Sequence, residues 1–99
     1  MRLQVFKTIL TGEVKGGTTA ARLPDVPCSG VIFKAPSTNA TSIFLGVEGV
    51  TKPNGTTSTT AGFELDAGDE SQFIPVDNLN KLWMITDVNG DDLTYMAFR

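Results

Sequence analysis

The chain has 99 residues and a mass of 10.6 kDa, enough for one small domain that hides roughly 60–65% of its extended-chain surface, and too little for two. Apolar residues make up 40% and charged residues only 19%, a balance that excludes a disordered or coiled-coil chain. A net charge of −3 argues against nucleic acid as a partner, and the absence of histidine removes the commonest general base and metal ligand.

In chain order, the first apolar run covers residues 3–10, with Leu3, Val5, Phe6 and Ile9 among polar neighbours. It ends in residues 11–17, where Gly16-Gly17 reads as a mobile break. Residues 1–17 are therefore expected to be an N-terminal strand or arm with a glycine hinge, and residues 18–99 the body. Residues 18–23 are extended and closed by Pro24-Asp25-Val26-Pro27, which marks an edge or crossing segment. Val31-Ile32-Phe33 is a strong strand signal that stops at Pro36, and residues 41–47 form the next strand. Lys52-Pro53-Asn54-Gly55 is a β-turn followed by a Thr-rich stretch. Gly62-Phe63-Glu64-Leu65 alternates, residues 66–70 turn, and residues 71–76 and 81–87 are further strands. Asn89-Gly90, between residues 82–86 and 93–98, reads as a hairpin cue. No window sustains a 3.6-residue period, so no helix beyond a single turn is expected. The pattern predicts an all-β fold, a small antiparallel β-sandwich of jelly-roll-like or Ig-like kind.

Cys28 stands alone and cannot form an intramolecular disulfide, so the chain is expected to fold in a reducing cytoplasm. Gln4 and Lys7 interrupt any signal-peptide core, and no run approaches the roughly 20 apolar residues of a membrane-spanning helix.

Val31-Ile32-Phe33 and Leu82-Trp83-Met84-Ile85 are apolar on successive residues, so both faces of those strands are greasy. Either the N-terminal arm covers the outer face, or another subunit does. The interface candidates are accordingly Leu3, Val5, Phe6, Ile9, Val31, Phe33, Trp83 and Ile85.

Asp87, Asn89 and Asp91 have the opening spacing of a calcium loop, but Asp92 and Phe98 stand where its glycine and closing acid belong. That stretch, and the cluster Asp66, Asp69 and Glu70, read as polar turns. Cys28 has no histidine to activate it. Gly16-Gly17-Thr18-Thr19 and Asn54-Gly55-Thr56-Thr57 lack the lysine of a phosphate loop. Asn39-Ala40-Thr41 and Asn54-Gly55-Thr56 match glycosylation sequons without a secretory signal. Trp83 and Tyr95 lie inside apolar strands, which favours core or subunit contact over sugar stacking. No catalytic residue, metal or cofactor is expected.

The succession of pieces carries a resemblance. Arg22-Leu23-Pro24-Asp25-Val26-Pro27-Cys28 runs into Val31-Ile32-Phe33-Lys34-Ala35, followed by Ile43-Phe44-Leu45-Gly46-Val47 and the Asn54-Gly55 turn. Leu65-Asp66-Ala67-Gly68-Asp69-Glu70-Ser71 then precedes Val76-Asp77-Asn78-Leu79-Asn80-Lys81-Leu82-Trp83. This resembles small β-sandwich virion accessory proteins of tailed bacteriophages, of the capsid decoration or cement type. The resemblance implies a structural role on the outer surface of a phage head, with the major capsid protein as partner, a homo-oligomer (a trimer first), and no membrane or nucleic acid. The alternative is a carbohydrate- or receptor-binding β-sandwich module of a phage fibre or tail.

Overall fold

The computed structural model describes residues 5–99. It contains β1 (Ile9–Lys15), β2 (Ala21–Arg22), β3 (Gly30–Lys34), β4 (Ile43–Gly46), β5 (Phe63–Leu65), β6 (Trp83–Thr86) and β7 (Asp92–Phe98), with a single 3₁₀ turn at Leu79–Lys81. Every strand pairing is antiparallel. Sheet 1 has the order β1-β7-β3 and sheet 2 the order β2-β6-β4-β5. No helix among the described residues is long and apolar enough to cross a membrane.

The chain changes sheet at four of the six connections between these strands; only β4 and β5 are consecutive strands paired with each other. Residues 70–74 lie along the free edge of β3, bridging Lys34↔Glu70 and Val31↔Ile74. Val31 N–H donates to the Ile74 carbonyl at 3.0 Å, and Ile74 N–H returns the bond at 2.8 Å. With this segment in place the order is β1-β7-β3-(70–74) over β2-β6-β4-β5, the strand order of a jelly roll. The strand expected over residues 71–76 is thus an irregular edge. Pro75 supplies no N–H, and Ser71 turns its hydroxyl onto Phe33 N–H instead of leaving that group to a ladder.

Alternation places Val31 and Phe33 of β3 and Leu93 and Ala97 of β7 on the inner face of sheet 1. Opposite them lie Ile43, Leu45, Leu65 and Met84 of sheet 2, with Leu23 and Leu79 closing the ends of the same core. Val31 and Phe33, expected at an interface, are completely buried. Ile32 is the apolar β3 side chain that faces outward.

Asn89-Gly90 does not close a hairpin. β6 and β7 belong to different sheets, and residues 87–91 carry the chain from one to the other. Met84 and Leu93 belong to one core cluster, from opposite sheets. Pairing β6 with β7 in a single sheet would forfeit that arrangement.

The first strand also differs from expectation. β1 begins at Ile9, runs through Gly12, and pairs with β7 in unbroken register from Ile9↔Phe98 to Lys15↔Asp92. Gly16 N–H donates to the Asp91 carbonyl at 2.6 Å, and the Gly17 carbonyl accepts from Thr86 N–H at 2.9 Å. The paired glycines therefore tie β1 into the body rather than releasing it as an arm. Leu3 lies outside the described residues.

Because Phe33 is wholly buried, Phe33→Ala is expected to cost about 3–5 kcal/mol in urea unfolding. Ile9→Ala, on an exposed side chain, should stay within about 0.5 kcal/mol of the parent.

Candidate functional site

The outer face of sheet 2 is covered by its own chain. Phe44, Val50 and Ile85 form a second small cluster with Ala20 and Trp83 against it. Val50 comes from residues 47–62, so a connecting loop does the covering that was expected of an arm or a second subunit. Ile85 is thereby removed from the interface candidates. Trp83 is half-buried, and the Arg22 guanidinium lies 5.4 Å from its ring centroid, a cation–π contact that occupies the face a sugar would need. Tyr95 points inward over Gly12, where any Cβ would overlap the phenol ring.

The outer face of sheet 1 has no such cover among the described residues. The register aligns Ile9 with Phe98 and Gly30, Thr11 with Met96 and Ile32, and Glu13 with Thr94 and Lys34. One end of the face is apolar and the other polar. Gly30 is required at the apolar end, because the Phe73 ring rests directly on its Cα. Phe6, Phe73 and Phe98 make a three-ring cluster with centroids 5.2–5.9 Å apart, all tilted, within the favourable range for aromatic pairs. Ile9 is 60% exposed, Met96 42% and Phe73 39%, and Val5 is exposed as well. A shallow depression of ≈ 590 Å³ continues over Ile32, Met96, Thr94, Lys34, Glu13 and Glu70. Beyond Phe73 the apolar surface turns the corner into a groove of ≈ 700 Å³ lined by Leu45, Phe63, Ile74, Pro75 and Leu82.

Of the interface candidates, the structure brings together Phe6 and Ile9, with Val5 exposed. It disperses Trp83 and buries Val31, Phe33 and Ile85. The residues that sequence reasoning missed are Ile32, Phe73, Met96 and Phe98. The apolar residues Met96 and Phe98, alternating with Leu93, Tyr95 and Ala97, were the available signal.

The acidic groups of the calcium-like stretch are turned to different partners. The Asp91 carboxylate accepts N–H bonds from Ala40 and Thr41 and the Thr41 hydroxyl. Asn89 Oδ1 accepts from Thr18 N–H, and Asp87 pairs with Lys52 Nζ at 3.1 Å. The calcium-like spacing therefore does not converge on one point, and no group of three or more acidic, Cys or His side chains among the described residues is placed to share a cation. Ser42 donates to Asp66, which lowers that carboxyl's pKa. Cys28 donates its thiol to the Val76 carbonyl at 3.3 Å, and burial pushes its pKa up, away from a reactive thiolate.

The chain matches no family model, no curated protein and no solved structure.

Asp91 carries a pH dependence. The Thr41 hydroxyl, then the Ala40 N–H, hold its carboxyl below the ordinary value against the opposing effect of burial. A carboxyl depressed in the folded state stabilises it above the unfolded pKa of about 3.9, and that contribution fades as pH falls through the folded value. Thermal unfolding should show Asp91→Asn less stable than the parent at neutral pH. The gap should narrow steadily below about pH 4.

Proposed function

We propose that the chain is a non-catalytic virion accessory protein of the phage head, a decoration protein that docks on the major capsid protein through the outer face of sheet 1. The observation that carries this reading is the uncovered apolar end of that face, where Ile9, Met96 and the Phe6–Phe73–Phe98 cluster lie together. A small domain rarely leaves contiguous apolar strand surface open unless something binds there. The jelly-roll order supports it by analogy of fold alone, since that architecture serves capsid proteins and lectins among others.

Docking of this kind needs a rigid face, and sheet 1 provides one. Its central strand β7 is paired on both sides, and its inner side chains sit in the core. An apolar contact flanked at one end by Glu13, Lys34 and Glu70 would bury the apolar end and leave charge at its margin, where protein interfaces carry it. The glycan-module alternative gains less, because Trp83 lies under Arg22 and Tyr95 lies over Gly12.

The test uses heads of the parent virus assembled without this chain. The wild-type protein should co-sediment with them. Ile9→Glu/Met96→Glu should keep the parent's unfolding midpoint yet lose most head binding, because two charges would be buried at the contact. A double variant that binds as well as wild type moves the contact off this face. Failure of the wild type to bind heads, with retention on a glycan array, overturns the decoration reading altogether.

A further inference from the structure

We propose that Asn54 is a site of spontaneous self-modification, converting to aspartate or isoaspartate through a cyclic imide, while Asn89, in the same Asn-Gly dipeptide, is protected by the fold. The reaction needs a nucleophilic backbone nitrogen on the next residue, an electrophilic side-chain amide, and freedom for the two to meet. The structure separates the two sites by what the side-chain amide and the following N–H are bonded to.

At Asn54 the amide carbonyl accepts two hydrogen bonds from one residue. Thr56 N–H reaches Asn54 Oδ1 at 3.1 Å and the Thr56 hydroxyl reaches it at 2.6 Å. Two donors on this oxygen draw electron density from Cγ and stabilise the negative charge that develops on Oδ1 when Cγ is attacked, as an oxyanion hole does. Gly55 supplies the attacking nitrogen. Its N–H donates to no acceptor among the described residues. Gly55 has φ +86° and nothing within 4 Å of where a Cβ would stand, so that side of the residue is open. Residues 51–59 are exposed throughout, so the loop can adjust without disturbing the core.

At Asn89 the hydrogen bonding is reversed, although Gly90 also has a positive φ, +97°, with nothing within 4 Å of where a Cβ would stand. Asn89 Oδ1 accepts only the Thr18 N–H, at 3.2 Å, a bond that ties the side chain to the segment after β1. The Gly90 N–H is engaged with the Gly16 carbonyl at 3.3 Å. The nitrogen that would attack is held by one strand connection, and the amide it would attack is held by the same connection.

The step balances without any oxidant or reductant. Gly55 N forms a bond to Asn54 Cγ, the bond from Cγ to the side-chain nitrogen breaks, and ammonia leaves with the proton lost from Gly55 N. Water then opens the imide at either carbonyl, giving aspartate or its β-linked isomer. The product adds one negative charge to the loop that covers Phe44 and Ile85.

Aged and fresh protein would be digested with trypsin after incubation in warm, mildly alkaline buffer. Cleavage after Lys34 and Lys81, with Lys52 shielded by Pro53, puts Asn54 in the peptide 35–81 and Asn89 in the peptide 82–99. Tandem mass spectrometry should place the amide-to-acid conversion at Asn54, at least about tenfold faster than at Asn89. In urea the two rates should converge, and Thr56→Val should slow conversion in the folded protein. Conversion at Asn89 equal to or faster than at Asn54 in the folded protein overturns the proposal. So does a rate difference that persists in urea, which would assign it to neighbouring residues rather than the fold. An unchanged rate in Thr56→Val removes the activating role of Thr56.

Discussion

Two connections that cross between the sheets meet at one end of the sandwich and are clasped there by two side chains. Asp91, at the end of the β6–β7 crossing, takes the N–H groups of Ala40 and Thr41 from the β3–β4 crossing. Asn39 reciprocates: its Nδ2 donates to the Asp92 carbonyl at 2.8 Å and its Oδ1 accepts from Asp92 N–H at 2.9 Å. An asparagine side chain thus completes a pair of bonds that a strand would otherwise supply. Gly16 and Gly17 join the same junction through the Asp91 carbonyl and Thr86 N–H. Buried backbone groups must find partners, and in a fold that changes sheet so often the crossings are where the ladders cannot provide them. The clasp supplies those partners, and the register of β1, β7 and β4 follows from it.

That junction explains which parts of the fold were legible in the sequence. The apolar runs around Val31, Ile43 and Leu93 mark strands because each places alternate residues in one core, and the local pattern records it. Whether β6 and β7 pair or cross is decided by Asp91 meeting Ala40 and Thr41, about fifty positions away in sequence, and no local pattern carries that. The same holds for Gly16-Gly17. Two glycines in a polar stretch read as a break, yet at Gly16 a Cβ would run into Thr86 and the Asp91 carbonyl, so its small size serves a close approach of chain. The sequon at Asn39 is an instance of the same limit, since its amide is spent on Asp92.

The candidate face was legible in kind but not in membership. Successive apolar residues signalled two-sided strands correctly: Ile32 does face outward from β3, as do Trp83 and Ile85 from β6. What could not be read was which outer face the chain covers for itself. Sheet 2 is covered because Gly46 and Gly62 let Val50 approach closely; at both glycines a Cβ would press on the Val50 side chain. Phe73 was equally hidden, since its place on the face depends on Gly30, far away in sequence and bare of any side chain.

The contrast between the two outer faces separates the requirements of folding from those of docking. On sheet 2 the apolar residues Phe44, Val50 and Ile85 are all below a tenth exposed, so their burial stabilises the isolated domain. On sheet 1, Ile9 and Met96 remain 60% and 42% exposed and contribute less to that stability, while Phe6, Phe73 and Phe98 shield one another only in part. A polar residue at Ile9 or Met96 would fold as well, and the β1 edge already shows such a choice in Glu13 and Lys15, charges that discourage unwanted strand pairing. Apolar side chains at the other end of the same strands gain their free energy only when a second surface removes them from water. The Asn54 loop covers sheet 2, so a charge gained there acts on the opposite side of the sandwich, and chemical change in the loop and contact at the docking face are separable properties of one small domain.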